Sequence, residues 1–306
     1  MTIGVDIGGS HIMAATIDER SPDKTQHIYK MEVGCNDSRD TILNSWISVL
    51  GIAIDNLKGE KLNGIGIAIP GPFDYYNGIF PNKGEGKFEE LYNVDLRKYI
   101  KEELNLNAET SIRFYNDAAC FGIGEAWIGE VSSFKKCVAI TLGTGLGATF
   151  LNEGISLKHG VGVPKYGELY HLQFKEDIAD SYFSTQWFQR RYEEISGNKI
   201  KGVKELIMNS ENLDTAKFIF REFSQNLAGF LAPWLSEFGA EALVVGGNIS
   251  NAWHFFEKDL KDSLNEFQIN TPIYKSKLLE NAALIGSARI IDDKIYDLLI
   301  DAEENY

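Results

Sequence analysis

The chain lacks the features that mark several classes of protein. Among its 306 residues there are three cysteines, Cys35, Cys120 and Cys137, and none of them forms a CxxC pair. The sequence therefore predicts neither a disulfide framework nor a tetrahedral zinc set, and it favours a reducing compartment. No apolar run approaches the ~20 residues that span a bilayer, and no basic and apolar leader precedes the first strand. We expect a cytoplasmic protein with no membrane partner.

Positive charge is also scarce. The sequence has 30 lysines and arginines against 44 aspartates and glutamates, which gives a formal net charge of −14. Because the phosphate backbone of a nucleic acid requires a basic face, we expect no nucleic-acid partner. Hydrophobic residues make up 44% of the chain and charged residues 24%, as in ordinary globular proteins. The length is sufficient for one large domain or two medium-sized domains with hydrophobic cores.

What is present begins with a glycine turn near the start of the chain, Val5-Asp6-Ile7-Gly8-Gly9-Ser10. Apolar residues precede the turn and an alternating apolar run follows it, which predicts a β-hairpin. Two adjacent glycines let backbone N–H groups approach an anion without a Cβ in the way. A neighbouring carboxylate is then suited to hold Mg²⁺ between protein and phosphate. Taken alone, the stretch is better explained as an ordinary hairpin with a surface aspartate.

The same pattern recurs far along the chain. In residues 140–150, one apolar strand leads into Gly143-Thr144-Gly145-Leu146-Gly147 and a second apolar strand leaves it. Such a repeat predicts two similar domains that each offer a backbone loop to one ligand, so that a phosphate is held between two lobes. The glycines do not form a dinucleotide fingerprint, since a strand follows them where that fingerprint requires a helix.

Alternating strand and helix patterns predict two α/β lobes. We expect a first lobe over residues 1–116, a second over residues 117–281, and a helix over about 282–306 that packs back on the first lobe. Asp117 lies where a predicted strand ends and a helix begins, so Asn116 or Asp117 is a candidate for the helix N-cap. The same position aims a carboxylate from the end of a strand into a ligand crevice, and the two roles are compatible.

Two further segments contain candidate binding residues. Glu168 and His171 lie three residues apart in a glycine-rich loop. They are either two ligands of a metal or, more economically, a hydrogen-bonding pair for a polyol. A buried strand is predicted to end in a third glycine turn at Gly246-Gly247.

Six segments, taken together, resemble the ROK family of sugar kinases, the bacterial glucokinase-like members of the actin, hexokinase and Hsp70 superfamily. In chain order they are VDIGGS, PGPFD, NDAACFGIGE, LGTGLGATF, GELYH and LVVGGNIS. The resemblance covers essentially the whole chain, and although each motif alone is loose, six in this order are specific. It implies an α/β fold of two ribonuclease H-like (actin-like ATPase) lobes with a ligand cleft between them, and a homodimer.

The resemblance also implies roles for the matching residues. Asp117 matches the catalytic general base, and Asp6 matches the residue that arranges Mg²⁺ through water. The positions that match sugar-binding residues are Asn82, Asn116, Asp117, Glu168, His171 and, if the stretch Tyr182-Phe183-Ser184 aligns with the family, Asp180. The positions that match ATP-binding residues are Asp6, Gly8, Gly9, Ser10, Gly143, Thr144, Gly145, Gly246 and Gly247.

Two departures from the family pattern bear on cofactors and substrate. Most members have a zinc-binding cysteine cluster soon after the Glu-x-Gly-His segment, whereas residues 172–185 contain no cysteine. We therefore expect no zinc site, and the chain is nearer to the zinc-free members, among them polyphosphate-dependent glucokinases. Tyr170 replaces the glycine before the histidine, which is expected to reshape the sugar pocket.

The resemblance thus implies an ATP- and Mg²⁺-dependent kinase that phosphorylates glucose or a close relative, with Asp117 as general base. Polyphosphate remains open as donor, although an acidic chain is a poor host for a long polyanion. One alternative is a sugar-responsive regulator without a DNA-binding domain, since the first motif begins at residue 6 and leaves no room for a helix-turn-helix before it. Another is a sugar-binding module without activity, which the presence of both Asp6 and Asp117 disfavours.

Overall fold

The computed structural model describes residues 1–24, 26–83, 87–208 and 213–304. Its strands are β1 Thr2–Ile7, β2 His11–Ile17, β3 Gln26–Glu32, β4 Gly64–Ile69, β5 Ser111–Asn116, β6 Lys136–Leu142, β7 Leu146–Asn152, β8 Ile155–Leu157, β9 Gln173–Phe174, β10 Asp177–Ile178, β11 Ala242–Gly246 and β12 Ile273–Lys275. Its helices are α1 Arg39–Asp55, α2 Leu96–Glu103, α3 Asp117–Ile128, α4 Thr185–Ser196, α5 Val203–Met208, α6 Leu213–Phe238, α7 Trp253–Glu266, α8 Asn281–Arg289 and α9 Asp293–Glu304. Residues 305 and 306 of the predicted C-terminal helix lie outside the described residues.

The chain divides into two compact units. Unit 1 comprises Met1–Ile128 and Glu280–Asp301, and unit 2 is built on Gly129–Leu279. Helix α3 therefore belongs with the first unit, which extends past residue 116, where the sequence places the boundary. Within the described ranges, no helix combines the length and the apolar composition that a bilayer crossing requires.

The sheet of unit 1 has five strands in the spatial order β3-β2-β1-β4-β5. The first three strands along the chain are antiparallel, and β4 and β5 run parallel to β1. Every residue of β4 is buried, and so is every residue of β1 except the partly buried Asp6. This burial explains why both strands are apolar along most of their length, as central strands covered on two faces are.

The sheet of unit 2 repeats this arrangement. Its order is β12-β11-β6-β7-β8, with β6, β7 and β8 antiparallel and with β11 and β12 parallel to β6. In both units the first strand enters a glycine turn, a hairpin extends the sheet on one side, and parallel strands extend it on the other. The internal repeat predicted from the two glycine turns is therefore confirmed.

In unit 1, the backbone of helix α8 packs directly against the backbones of β1, β4 and α3. A Cβ added at Gly66 of β4 would overlap the carbonyl oxygen of Ser287, and one added at Gly4 of β1 would overlap that of Leu284. Between α8 and α3, a Cβ on Gly286 would in the same way overlap the carbonyl oxygen of Cys120. Glycine is therefore required at these positions because no side chain fits between the elements.

A hydrogen bond fixes the same helix to β1. The backbone N–H of Val5 donates to Oγ of Ser287 at 2.9 Å, and that hydroxyl donates to the carbonyl oxygen of Leu284, also at 2.9 Å. The Ser287 side chain is fully buried, so loss of this bond would leave a buried donor without a partner. Helix α8 thus holds the strand that carries Asp6.

We expect Gly66→Ala to lower the free energy of unfolding by about 3 kcal/mol, because α8 must move away from the sheet to admit the methyl group. The measurement is urea denaturation followed by circular dichroism. The matched control is Gly51→Ala in α1, where an added Cβ meets only Cδ2 of Leu104, at an ordinary 3.7 Å. The control is expected to be neutral or to stabilise by up to about 1 kcal/mol. Equal stability of the two variants would contradict the close packing of α8.

Candidate active site

Backbone hydrogen bonds fix the turn between β1 and β2. The N–H of Gly8 donates to the carbonyl oxygen of His11 at 2.9 Å, which closes the hairpin. The carbonyls of Gly9 and Ser10 accept hydrogen bonds from Cys35 at 3.0 Å and from Val33 at 3.1 Å. The predicted phosphate-binding segment is therefore a fixed loop rather than a free tip.

The structure brings the two predicted acidic residues to one edge of the unit 1 sheet. Asp6 pairs with Ala68 of β4, and Ile69 of β4 pairs with Asn116, the last residue of β5. Because β1, β4 and β5 are parallel, their carboxyl ends lie at the same edge, where α/β sheets bind ligands. Asp117 directly follows β5 at this edge.

The charges of neighbouring groups act on Asp6. Burial, together with the negative charges of Asp117 and Glu280, raises the pKa of Asp6 to about 7, although Lys30 and Lys87 act in the opposite direction. The partly buried Asp117 and the exposed Glu280 both repel the negative charge of Asp6, so a bound cation would be favoured beside Asp6.

Asn116 and Asp117 both contact the first turn of α3. The N–H of Ala119 donates to Oδ1 of Asn116 at 3.0 Å, and the N–H of Ala118 donates to Oδ1 of Asp117 at 2.8 Å. The N-cap predicted at this junction is thus confirmed for Asn116. Burial raises the pKa of Asp117 above its ordinary value, while Lys87 and the backbone hydrogen bonds act against that rise.

The glycine loop of unit 2 is fixed by side chains that follow it in sequence. Thr185 donates to the carbonyl oxygen of Gly143 through both its N–H and its Oγ1, each at 2.8 Å. The N–H of Leu146 donates to Oδ1 of Asp180 at 2.7 Å, and a Cβ on Gly145 would lie 2.6 Å from the same oxygen. Apart from Gly143 and the residues next to it in sequence, the described residues place no heavy atom within 4 Å of a Cβ added at Gly143, so this part of the loop has an open face.

The third glycine turn lies beside that loop. Gly246, at the end of β11, pairs with Thr141 of β6. Gly247 has a φ of 78°, and a Cβ there would overlap the carbonyl oxygen of Leu142. Both features require glycine, and they bring the two predicted nucleotide loops of unit 2 together.

Three predicted sugar-binding residues of unit 2, Glu168, His171 and Asp180, each lie near Tyr170. The N–H of Asp180 donates to the carbonyl oxygen of Tyr170 at 3.0 Å, and the rings of Tyr170 and His171 meet edge to face, with centroids 5.1 Å apart. The charges of Glu168 and Asp180 help to raise the pKa of Tyr170, after burial as the main cause. Burial, with a smaller effect from Lys165, lowers the pKa of His171. A neutral imidazole can both donate and accept a hydrogen bond with a hydroxyl group.

The remaining predicted sugar ligand is in unit 1. Asn82 is exposed, two residues after the buried Phe80. The contacts described above do not include it, and its role in sugar binding stays a prediction.

Three residues of these clusters are not predicted by the sequence. Glu280 precedes α8 and pairs with Lys30 at 3.2 Å, Lys87 lies against Gly9, and Thr185 bonds to the unit 2 glycine loop. Glu280 and Lys87 lie in no motif that would reveal them. The signal for Thr185 is its place at the start of a helix, where hydroxyl residues are common.

No group of three or more His, Cys, Asp or Glu side chains that could hold a metal ion occurs in the described part of the chain. The absence of zinc stays a prediction from the missing cysteines. Water-mediated binding of Mg²⁺ requires no such cluster, because this ion usually keeps several of its waters.

Comparison with known proteins gives relatives along nearly the whole chain. A model of the ROK family matches residues 2–294. The chain is 24% identical over 319 residues to N-acetyl-D-glucosamine kinase of Haemophilus influenzae, which covers 95% of this chain and 99% of the relative. It is 24% identical over 324 residues to glucokinase of Thermotoga maritima, with 96% and 98% covered.

A solved structure shares the fold. A ROK family glucokinase from Streptomyces griseus, in complex with glucose and AMPPNP, matches with a TM-score of 0.72 and 21% identity over 94% of this chain and 98% of that one. The α/β fold of two ribonuclease H-like, actin-like ATPase units is thus confirmed.

The raised pKa of Asp6 predicts a stabilising substitution. The folded state keeps the Asp6 proton up to about pH 7, whereas the unfolded chain releases it near pH 4. Between these values the folded state binds more protons, so its stability falls as the pH rises. Asn cannot ionise, and we expect the stability gained by Asp6→Asn over the wild type to grow by about 2 kcal/mol between pH 5 and pH 8.

The measurement is urea denaturation at both pH values in buffer without divalent cations. Asp23→Asn, which changes an exposed aspartate, is the control and is expected to show the same difference from the wild type at both pH values. A gain for Asp6→Asn that does not depend on pH would show that Asp6 is already ionised in the folded protein at pH 5.

Proposed function

The chain belongs to the ROK family, and on this premise we propose that it is a sugar kinase that transfers the γ-phosphoryl group of ATP to a hydroxyl of a hexose. The observation that carries the proposal is the meeting of Asp6 and Asp117 at one edge of the unit 1 sheet, beside a fixed glycine turn. The reaction requires a base that deprotonates the nucleophilic hydroxyl and a site that holds the phosphates of the donor. The aspartates and the glycine turn supply these two functions.

Asp117 is the general base of the proposed reaction. A sugar hydroxyl is a poor nucleophile, and a carboxylate within hydrogen-bond reach can accept its proton as the phosphoryl group arrives, which contributes roughly 10²–10⁴-fold. The raised pKa of Asp117 increases its affinity for that proton. Its Oδ1 accepts from the helix N–H of Ala118, which orients the carboxylate.

The residues around Asp6 fit a magnesium ion. The carboxylate of Asp6 offers the oxygen chemistry that Mg²⁺ prefers, and burial, followed by the negative charges of Asp117 and Glu280, raises its pKa. We propose that Asp6 holds Mg²⁺ through water. When bound, the ion neutralises charge on the phosphates of the donor.

In the proposed complex, backbone N–H groups bind the nucleotide. Gly8, Gly9 and Ser10 in unit 1, and Gly143, Thr144 and Gly145 in unit 2, bind its phosphates, while Gly246 and Gly247 lie on the adenosine side. The support for the unit 2 residues is the open face at Gly143 and the rigid hold of Thr185 on that loop. A preorganised loop requires no rearrangement when charge moves along the phosphates.

The acceptor is held by Asn82, Asn116, Glu168, His171 and Asp180. Relatives named for glucose and for N-acetylglucosamine support a hexose, and glucose or a close relative is the proposed acceptor. Since Oδ1 of Asp180 is engaged by Leu146, its second oxygen is the one proposed for the sugar. The homodimer and the cytoplasmic location expected from the resemblance stay predictions.

The first test is a coupled assay of ADP release with Mg-ATP against glucose, N-acetylglucosamine, mannose and fructose. A parallel assay of glucose 6-phosphate uses polyphosphate as the donor. We expect turnover of one or more hexoses with ATP. If polyphosphate supports turnover and ATP does not, polyphosphate replaces ATP as the proposed donor. Sugar binding by calorimetry without turnover of any pair would contradict the kinase and favour a sensor or an inactive sugar-binding module.

Asp117→Asn tests the base. The amide cannot accept the hydroxyl proton, so kcat is expected to fall by about 10²–10⁴-fold, while sugar binding by calorimetry partly survives. In the wild type, kcat/KM should decrease as the pH falls through the raised pKa of Asp117, because the protonated acid is no base. Asp23→Asn is the surface control and should keep wild-type turnover. Undiminished turnover of Asp117→Asn would remove Asp117 from this role.

A further inference from the structure

Lys87 is held in place by the residue that follows it. The Phe88 side chain is fully buried, with its ring edge-on to Trp46 at 5.2 Å and tilted against Phe80 at 5.6 Å between centroids. Its φ of 62° is left-handed, a conformation that persists in a non-glycine residue only when the surroundings enforce it. The carbonyl of Phe88 also accepts a hydrogen bond from Leu91 at 2.9 Å. Because Phe88 is fixed in the core, the backbone of Lys87 next to it is also fixed in position.

From this point the lysine side chain reaches the glycine turn. A Cβ added at Gly9 would lie 3.5 Å from Cε and 3.8 Å from Nζ of Lys87. The stem of the lysine thus lies on the face of Gly9, and its ammonium group stands at the loop that we propose for phosphate. The residue as a whole is exposed, so a ligand can reach the ammonium group.

The charge of Lys87 acts on both carboxylates of the unit 1 site. It opposes the rise in the pKa of Asp6 and of Asp117. Lys30 also acts on Asp6, but its ammonium group pairs with Glu280 at 3.2 Å. Lys87 is thus a cation placed beside the proposed base and the proposed phosphate loop at once.

We propose that Lys87 binds the phosphoryl group that is transferred and neutralises its charge during the reaction. The inference rests on the proposed function. In the step, the bond from the γ-phosphorus to the bridging oxygen of ADP breaks and a bond from the sugar oxygen to that phosphorus forms. The hydroxyl proton passes to Asp117, ADP leaves with the electron pair of the broken bond, and Lys87 keeps its proton throughout. A compact ammonium group suits this role as a point charge on phosphate.

Nucleotide affinity tests the contact without turnover. Calorimetry in Mg²⁺ buffer compares AMPPNP, which has a third phosphoryl group, with ADP, which lacks it. We expect Lys87→Met to weaken AMPPNP binding by about tenfold, as loss of one charged contact does, and to change ADP binding by less than about twofold. Lys83→Met, a change at an exposed lysine of the same segment, is the control and should change neither affinity.

The outcomes separate this inference from the proposed function. If the wild type binds neither nucleotide, the proposed donor fails and the role of Lys87 fails with it. If the wild type binds both and Lys87→Met binds AMPPNP as tightly as the wild type, only the role of Lys87 is overturned. Equal weakening of ADP binding and AMPPNP binding would also overturn it, since that pattern indicates that Lys87 stabilises the loop and does not bind the third phosphoryl group.

Turnover supplies a second measurement. Loss of one preorganised charge at the reacting group lowers kcat by about 10²-fold, so we expect this loss for Lys87→Met with the sugar KM within about twofold. Lys87→Arg retains the charge and should recover part of kcat. A kcat of Lys87→Met within about threefold of the wild type would overturn the inference, as would a change confined to the sugar KM.

Discussion

Direct contact between backbones, at helix α8, is the constraint on which the unit 1 site depends. Glycine at residues 4, 66, 124 and 286 lets this helix touch two strands and helix α3 without side chains in between. The elements so joined carry Asp6, Asp117 and Glu280, and the charges of the last two repel that of Asp6. Because interiors are close-packed and resist small displacements, the packing can keep acidic groups at a spacing that their charges alone would not favour.

The second unit uses the same topology with a different set of chemical groups. The position that Asp6 occupies in the first hairpin is held in the second by Thr141, which follows Ile140 as Asp6 follows Val5. The unit 2 loop is fixed by hydrogen bonds from Thr185 and to Asp180, whereas the unit 1 turn is fixed by hydrogen bonds from Cys35 and Val33. One architecture thus supports an acidic edge in unit 1 and a glycine loop with an open face in unit 2.

Local signals made much of this predictable. Glycine turns between apolar strands identify both hairpins, and their recurrence identifies the repeat, since hairpin formation depends on neighbours in sequence. The junction at Asp117 is predictable for the same reason. Contacts that join distant segments are not predictable in this way. The contact between Ser287 and Gly66, for example, depends on how helix α8 lies on the sheet. Glu280 and Lys87 reach the site from a helix end and a loop, so no spacing in the sequence reveals them.

The arrangement of unit 1 along the chain has a consequence for synthesis. Its sheet and α3 lie within the first 128 residues, while α8 follows only after Leu279. A ribosome therefore releases β1 and β4 long before the helix that covers their glycines, whereas nearly all of unit 2 emerges as one continuous stretch, Gly129–Leu279. Since domains tend to fold as units when their residues become available, unit 2 can complete its core first, and the acidic edge is assembled last.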